Sequence, residues 1–131
     1  MTVLEATAAA IVAAGQGTLG TDLFLQFMPD TPDLCVGVYE YQGRPPVETM
    51  GARLPVVEMP RVQVIVRGAV DDYPTARDRA VGIRAALAVI SDQTFAGVVL
   101  MRLAASGTVM PMGVDEKQRP KVSANFQAWV R

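Results

Sequence analysis

The chain has no histidine, one cysteine and no uncharged apolar run near the ~20 residues needed to cross a bilayer. Without histidine, the commonest general base and the commonest metal ligand are both missing. A single cysteine, Cys35, leaves no intrachain disulfide framework and no zinc knuckle. Aromatic residues make up only 6% of the sequence. The 12 basic and 13 acidic side chains sum to a net charge of −1, so the chain has no general attraction for nucleic acid or an anionic membrane. Glu5 is the only charged side chain before Asp22. With no basic region ahead of the first apolar stretch, no secretory signal is expected, and a reducing cytoplasm or a particle assembled there is the expected location.

What is present suits one domain over residues 1–131, since half of the residues are apolar. Thr2 and Glu5 form a capping-box pattern, Gly15 supplies a left-handed stop, and Leu4, Ala8, Ile11 and Ala14 share a face between them. Phe24 to Phe27 is predicted as a short strand, Met28 to Asp33 as a turn, and Leu34 to Tyr41 as a central strand. Arg61 to Arg67 alternates with Val62, Val64 and Val66 inward. Asp71 and Asp72 suit a helix start and Pro74 the first helical position. Ala76, Ala80, Ile83, Leu87 and Ile90 then make an apolar stripe. Val98 to Leu103 and Lys121 to Arg131 are further strands. The expected fold is α+β, a mainly antiparallel sheet of four to five strands with two helices packed on one face.

The motifs that carry chemistry elsewhere have structural readings here. Gly15-Gln16-Gly17-Thr18-Leu19-Gly20 spells G-x-G-x-x-G, but a dinucleotide loop needs a strand before it and a helix after it. The order here is reversed, so the glycines read as a helix stop and a link. Asp71-Asp72 reads as helix-start chemistry, and Asp115-Glu116 as a solvated loop beside Lys117 and Arg119. Cys35, in an apolar strand with no histidine to activate it, reads as a buried hydrophobe. No catalytic residue, cofactor or metal is expected, and an enzyme is not expected. Ten of the twelve basic residues are arginine, which favours pairing with carboxylates across interfaces. They are not expected to cluster with aromatics, so no nucleic-acid reading platform is expected.

The most informative feature is a pair of long connections, residues 42–60 and 104–120, since connections beyond about 12–15 residues are uncommon in compact domains. The first carries Val47, Met50, Leu54, Val56, Val57 and Met59, and the second Val109, Met110, Met112 and Val114. Exposed apolar segments on a small protein mark contact surfaces; folding back over the open sheet face is the alternative. Tyr39, Tyr41, Ile65 and Trp129 join them on the outward face of the sheet, with aromatics of the kind that anchor interfaces. The expected interface residues are therefore Val47, Met50, Leu54, Val56, Met59, Met110, Met112, Tyr39, Tyr41 and Trp129.

Several segments, taken in order, resemble the tail terminator (or minor capsid) proteins of long-tailed bacteriophages. They are Thr18-Leu19-Gly20-Thr21-Asp22-Leu23-Phe24, Met28-Pro29-Asp30-Thr31-Pro32-Asp33 and Tyr39-Glu40-Tyr41-Gln42-Gly43, then Pro60 to Arg67 and Tyr73 to Arg77. Pro111 to Glu116 and Ser123 to Phe126 complete the series. The resemblance implies a small α+β virion protein at the head–tail junction, assembled in the host bacterial cytoplasm. It implies a homo-oligomeric ring, usually a hexamer, that caps the tail tube, stops its polymerisation and offers a surface for head–tail joining. The implied partners are further copies of the chain, the tail tube protein, a head-completion or connector protein, and genomic DNA passing through the lumen without sequence-specific contacts. No membrane is implied, and the tail type suggested is the flexible, non-contractile one. A head-completion or stopper protein of the neck and a small-molecule-binding α+β module are the alternatives.

Overall fold

The computed structural model describes residues 2–47 and 57–131, with the backbone alone over 42–47. Nine elements follow one another: α1 (Val3–Ala13), β1 (Leu23–Leu25), β2 (Cys35–Val47), β3 (Val57–Arg67), α2 (Tyr73–Ala88), β4 (Gln93–Phe95), β5 (Val98–Ala105), β6 (Met110–Val114) and β7 (Pro120–Val130).

Both helices begin as their sequences dictate. The Thr2 hydroxyl accepts the Glu5 amide at 3.2 Å, and Gly15 takes the left-handed conformation, φ +74°, past the end of α1. Alanine-rich α1 buries Val3, Leu4, Ala6, Thr7, Ala8, Ala10 and Ile11, which lets it lie close against the sheet. At α2, the Asp72 carboxylate accepts the Thr75 amide at 3.3 Å and Pro74 occupies the first turn. The expected stripe of Ala76, Ala80, Ile83, Leu87 and Ile90 is buried. The two helices share one core with the inward valines of β2 and β3, with Leu100 and Leu103 of β5, and with the even-numbered residues of β7 around Phe126.

The sheet departs from the expected one. It is not a mainly antiparallel sheet of four to five strands but a curled, mixed half-barrel of six to seven, with 43% of residues in strands and 23% in helices. Its order is β1-β2-β3-β7-β5-β4, and β6 pairs β7 beside that path. The mixing comes from β1, which runs parallel to β2 with Leu23 opposite Val36.

Much of the additional strand lies within the two connections expected to be loops, one holding β6 and the other lengthening β2 and β3, while β4 lies outside both. β2 runs on to Val47 and β3 starts at Val57, so most of 42–60 that is described is a continuation of the β2–β3 hairpin. The prolines that suggested a loop sit at breaks in the ladder. Register shifts fall between Tyr41 and Arg44 and between Arg44 and Val47, which brackets Pro45 and Pro46. Pro60 lies between the paired residues Met59 and Arg61. A proline lacks the N–H that a regular ladder needs, and bulges are where a sheet tolerates it. Residues 104–120 likewise contain β6, paired to β7 with Met110 opposite Ser123. β4 is three residues long and turns into β5 through Ala96 and Gly97, at φ +50° and +77°. Two positive φ angles in a two-residue loop match the twist of a tight hairpin.

Candidate assembly surfaces

Strand alternation sorts the side chains into two faces. In β2 up to Tyr41, in β3 and in β7, even-numbered residues point to the core side of the sheet and odd-numbered ones point outward. The outer face has two ends of different character.

At the first end the outer face is covered. The Met28–Asp33 segment folds over it and is fastened by two buried arginines. Arg67, at the end of β3 and 4% exposed, donates through Nε to the Asp33 carbonyl at 3.0 Å. Its Nη2 donates to the carbonyls of Pro29 and, at 2.8 Å, Pro32. Arg119, 5% exposed before β7, donates to the carboxylates of Asp115 (2.8 Å), Asp33 (3.1 Å) and Asp30 (3.2 Å), and to the Asp30 carbonyl. Lys117 holds the other Asp30 oxygen at 2.6 Å. The Lys117 ammonium foremost, with help from Arg119, lowers the Asp30 carboxyl below its usual range. The Arg119 amide foremost, with its guanidinium, does the same to Asp115. Arg119, held by Asp115, thus reaches Asp33 and Asp30 across 86 and 89 residues of sequence. The expectation that Asp115 and Arg119 lie in a solvated loop is corrected: the pair forms a clamp.

Beneath the clamp Cys35 is fully buried, and burial raises its thiol pKa. Tyr39 is half-buried because its ring lies over Gly37. A Cβ at Gly37 would stand 2.7 Å from the ring and 2.8 Å from the Met28 side chain, so only glycine leaves room. Burial likewise raises the Tyr39 hydroxyl pKa. Ile65, expected on the outward surface, is only 9% exposed.

At the second end the face is open. Tyr41, Arg61 and Gln127 lie side by side across β2, β3 and β7, and Arg61 Nε reaches Gln127 Oε1 at 3.4 Å. One row along, Arg102 of β5 stands over the Trp129 ring, 5.8 Å from its centroid. The fold thus gathers arginines and aromatics that are scattered along the sequence. Among the described residues, no strand places a carboxylate on this face. On the opposite face, behind these same strand positions, a cleft of about 380 Å³ under the start of α1 is lined by Glu40 and Glu58.

The other expected contact residues have mixed placements. Met110 and Met112 are exposed, at 55% and 43%, on β6, every residue of which faces solvent. Met59 is half-buried, and Val109 packs against the core. Met50, Leu54 and Val56 lie outside the described residues, as does the side chain of Val47. Sequence reasoning missed a second apolar area, a hollow of about 460 Å³ over α1 lined by Ala8, Ala9, Val12, Ala13 and Leu19. The signal was there: α1 carries alanine or valine on its outer side as well as its inner one.

The glycine-rich segment has a structural role. Asp22 accepts the Thr18 amide at 2.7 Å and the Arg79 guanidinium at 3.0 Å, and Arg79 also reaches the Gln16 carbonyl. Burial pushes the Asp22 carboxyl up, but the Thr18 amide and Arg79 outweigh it and hold it low. A helix precedes this loop and a strand follows, the reverse of a pyrophosphate cradle. Among the described residues, no group of three or more His, Cys, Asp or Glu side chains is placed to hold a metal ion.

No curated protein matches the chain. A family model for bacteriophage tail terminator protein matches residues 10–130, a span that includes the clamp, the open patch, all of α2 and the end of α1. The chain therefore belongs to the bacteriophage tail terminator family, a family of structural proteins of the phage tail.

Proposed function

We propose that the protein closes into a ring, a hexamer, that seats on the end of a finished tail tube, stops further polymerisation and offers its far side to the head. Family membership across residues 10–130 is the observation that carries this reading. The exposed face of β6 supports it: Met110, Met112 and Val114 form an apolar strip that a neighbouring copy or the tube would cover. The open outer face, with Tyr41 and Trp129, offers a second contact area. Growth stops because the ring reproduces the tube's binding edge on one side and lacks it on the other. DNA passes through the lumen without base-specific contacts, and a connector protein of the head meets the opposite rim. The head–tail junction of the virion is then where the protein works.

The test adds purified protein to polymerising tail tubes and to DNA-filled heads in separate reactions, and examines both by electron microscopy. Density at one tube end together with arrested growth supports the reading. Decoration of heads alone would instead assign the protein to the head side of the neck. The variant Met110→Asp/Met112→Asp should lower occupancy of tube ends at least tenfold while remaining folded, and full occupancy would remove β6 from the contact.

A further inference from the structure

The open patch and the acidic cleft stand back to back across one thickness of sheet. Glu40 and Tyr41 are consecutive in β2 and so point to opposite faces. Pro60 and Arg61 do the same in β3, and Trp129 and Val130 in β7: the first partner lines one surface and the second the other. Arg61 and Arg102 are exposed on the outer side and Glu40 and Glu58 are exposed on the inner side. Among the described residues none of these four forms an ion pair. Arg131 also lines the cleft, but it faces Asp92 at 3.6 Å, so the two glutamates leave the cleft acidic. The nearby start of α1 is capped by Thr2 and Glu5.

Two surfaces of opposite sign on opposite sides of one sheet cannot meet within a molecule. They can meet between molecules, and each copy then offers one of each. We infer that the Arg61/Arg102 patch of one copy docks on the Glu40/Glu58 cleft of the next, making a head-to-tail contact that repeats around a ring. The contact is heterologous, the kind that closes into a ring when its rotation divides a full turn. Arginine suits it, because its planar fork meets a carboxylate through two hydrogen bonds. Tyr41 and Trp129 flank the two arginines and exclude water as the faces close. This inference rests on the proposed ring and names the chemistry of its subunit contact.

Charge reversal tests it. Arg61→Glu/Arg102→Glu makes both surfaces acidic, and Glu40→Arg/Glu58→Arg makes both basic. Each variant alone should stay monomeric under conditions where the unmodified protein assembles, alone or on tail tubes, and each should melt within about 5 °C of the parental protein because all four positions are exposed. Mixed in equal amounts, they should regain the parental assembly, since every junction between unlike copies again joins opposite charges and an even-membered ring closes. The neutral pairs R61Q/R102Q and E40Q/E58Q should each weaken assembly at least tenfold, and mixed they should form pairs through the one parental junction they share but no closed ring. Assembly by either charge-reversed chain alone, or failure of the mixture to assemble, overturns the contact while leaving the ring reading in place. If the unmodified protein never assembles, even on tube ends, the ring reading itself fails. Retention of duplex DNA that R61E/R102E abolishes, with self-assembly unchanged, would assign the patch to DNA and overturn the inference.

Discussion

Arg67 and Arg61 sit six residues apart on the same strand and point to the same face, yet they have opposite fates. Arg67 is 4% exposed and spends its donors on the carbonyls of one loop. Arg61 is exposed and, among the described residues, its side chain makes one hydrogen bond, to Gln127 at 3.4 Å. The difference is what lies above them. The Met28–Asp33 segment covers one end of the sheet's outer face, and among the described residues no segment covers the other. One end of the face is thereby committed to holding the molecule together, and the other remains available to hold molecules to one another.

Paired substitutions break this comparison most sharply. Arg67→Met should destabilise the protein by about 3 kcal/mol, since it strips charged hydrogen bonds from several carbonyls of a covered loop. Arg61→Met should change stability by less than about 0.5 kcal/mol, as expected for a surface site. Urea unfolding of the two variants measures both, and equal effects would erase the distinction between the ends.

Acid should loosen the closed end next. The carboxyls of Asp22, Asp30 and Asp115 are held below their usual range in the folded protein. A depressed folded pKa gives stability that is present above the unfolded value and lost as pH falls through the folded one. The melting temperature should therefore be flat near neutrality and fall below about pH 4. Asp115→Asn should lower the neutral-pH melting temperature and make the acid-side fall shallower. An unchanged acid profile would mean that the clamp contributes nothing through Asp115.

At the open end the effects on the isolated chain should be the smallest. Arg102→Ala removes the contact over Trp129, a cation–π pair at an exposed site, and should cost about 0.5 kcal/mol. A loss several times larger, read by urea unfolding, would show that this pair serves folding, against the division drawn between the two ends.

How much the sequence disclosed depended on the range of the interaction. Both helices were readable because their signals are local: Thr2 with Glu5, Asp72 with Pro74, and the stripe from Ala76 to Ile90. The alternating cores of β2, β3 and β7 were readable for the same reason. The outer reaches of β2 and β3 were not, because Pro45, Pro46 and Pro60 argue against a ladder unless the bulges that accommodate them are known. β4 is too short to show a period, and β6 reads Met-Pro-Met-Gly-Val, with a proline and a glycine in five residues. The arginine clamp was hidden because its carboxylates and guanidiniums meet only after folding. Of the expected contact residues, Met110 and Met112 are exposed on β6. Tyr39 is turned onto Gly37, a contact that needs the packed Met28 as well as the strand pattern.

The most direct test of the central claim, that the open end of the outer face serves assembly and not folding, is a tube-growth assay with the R61E/R102E protein. The account predicts a variant that melts with the unmodified chain and yet lets tail tubes grow past their normal length. Tubes that stop at the normal length in its presence would contradict it.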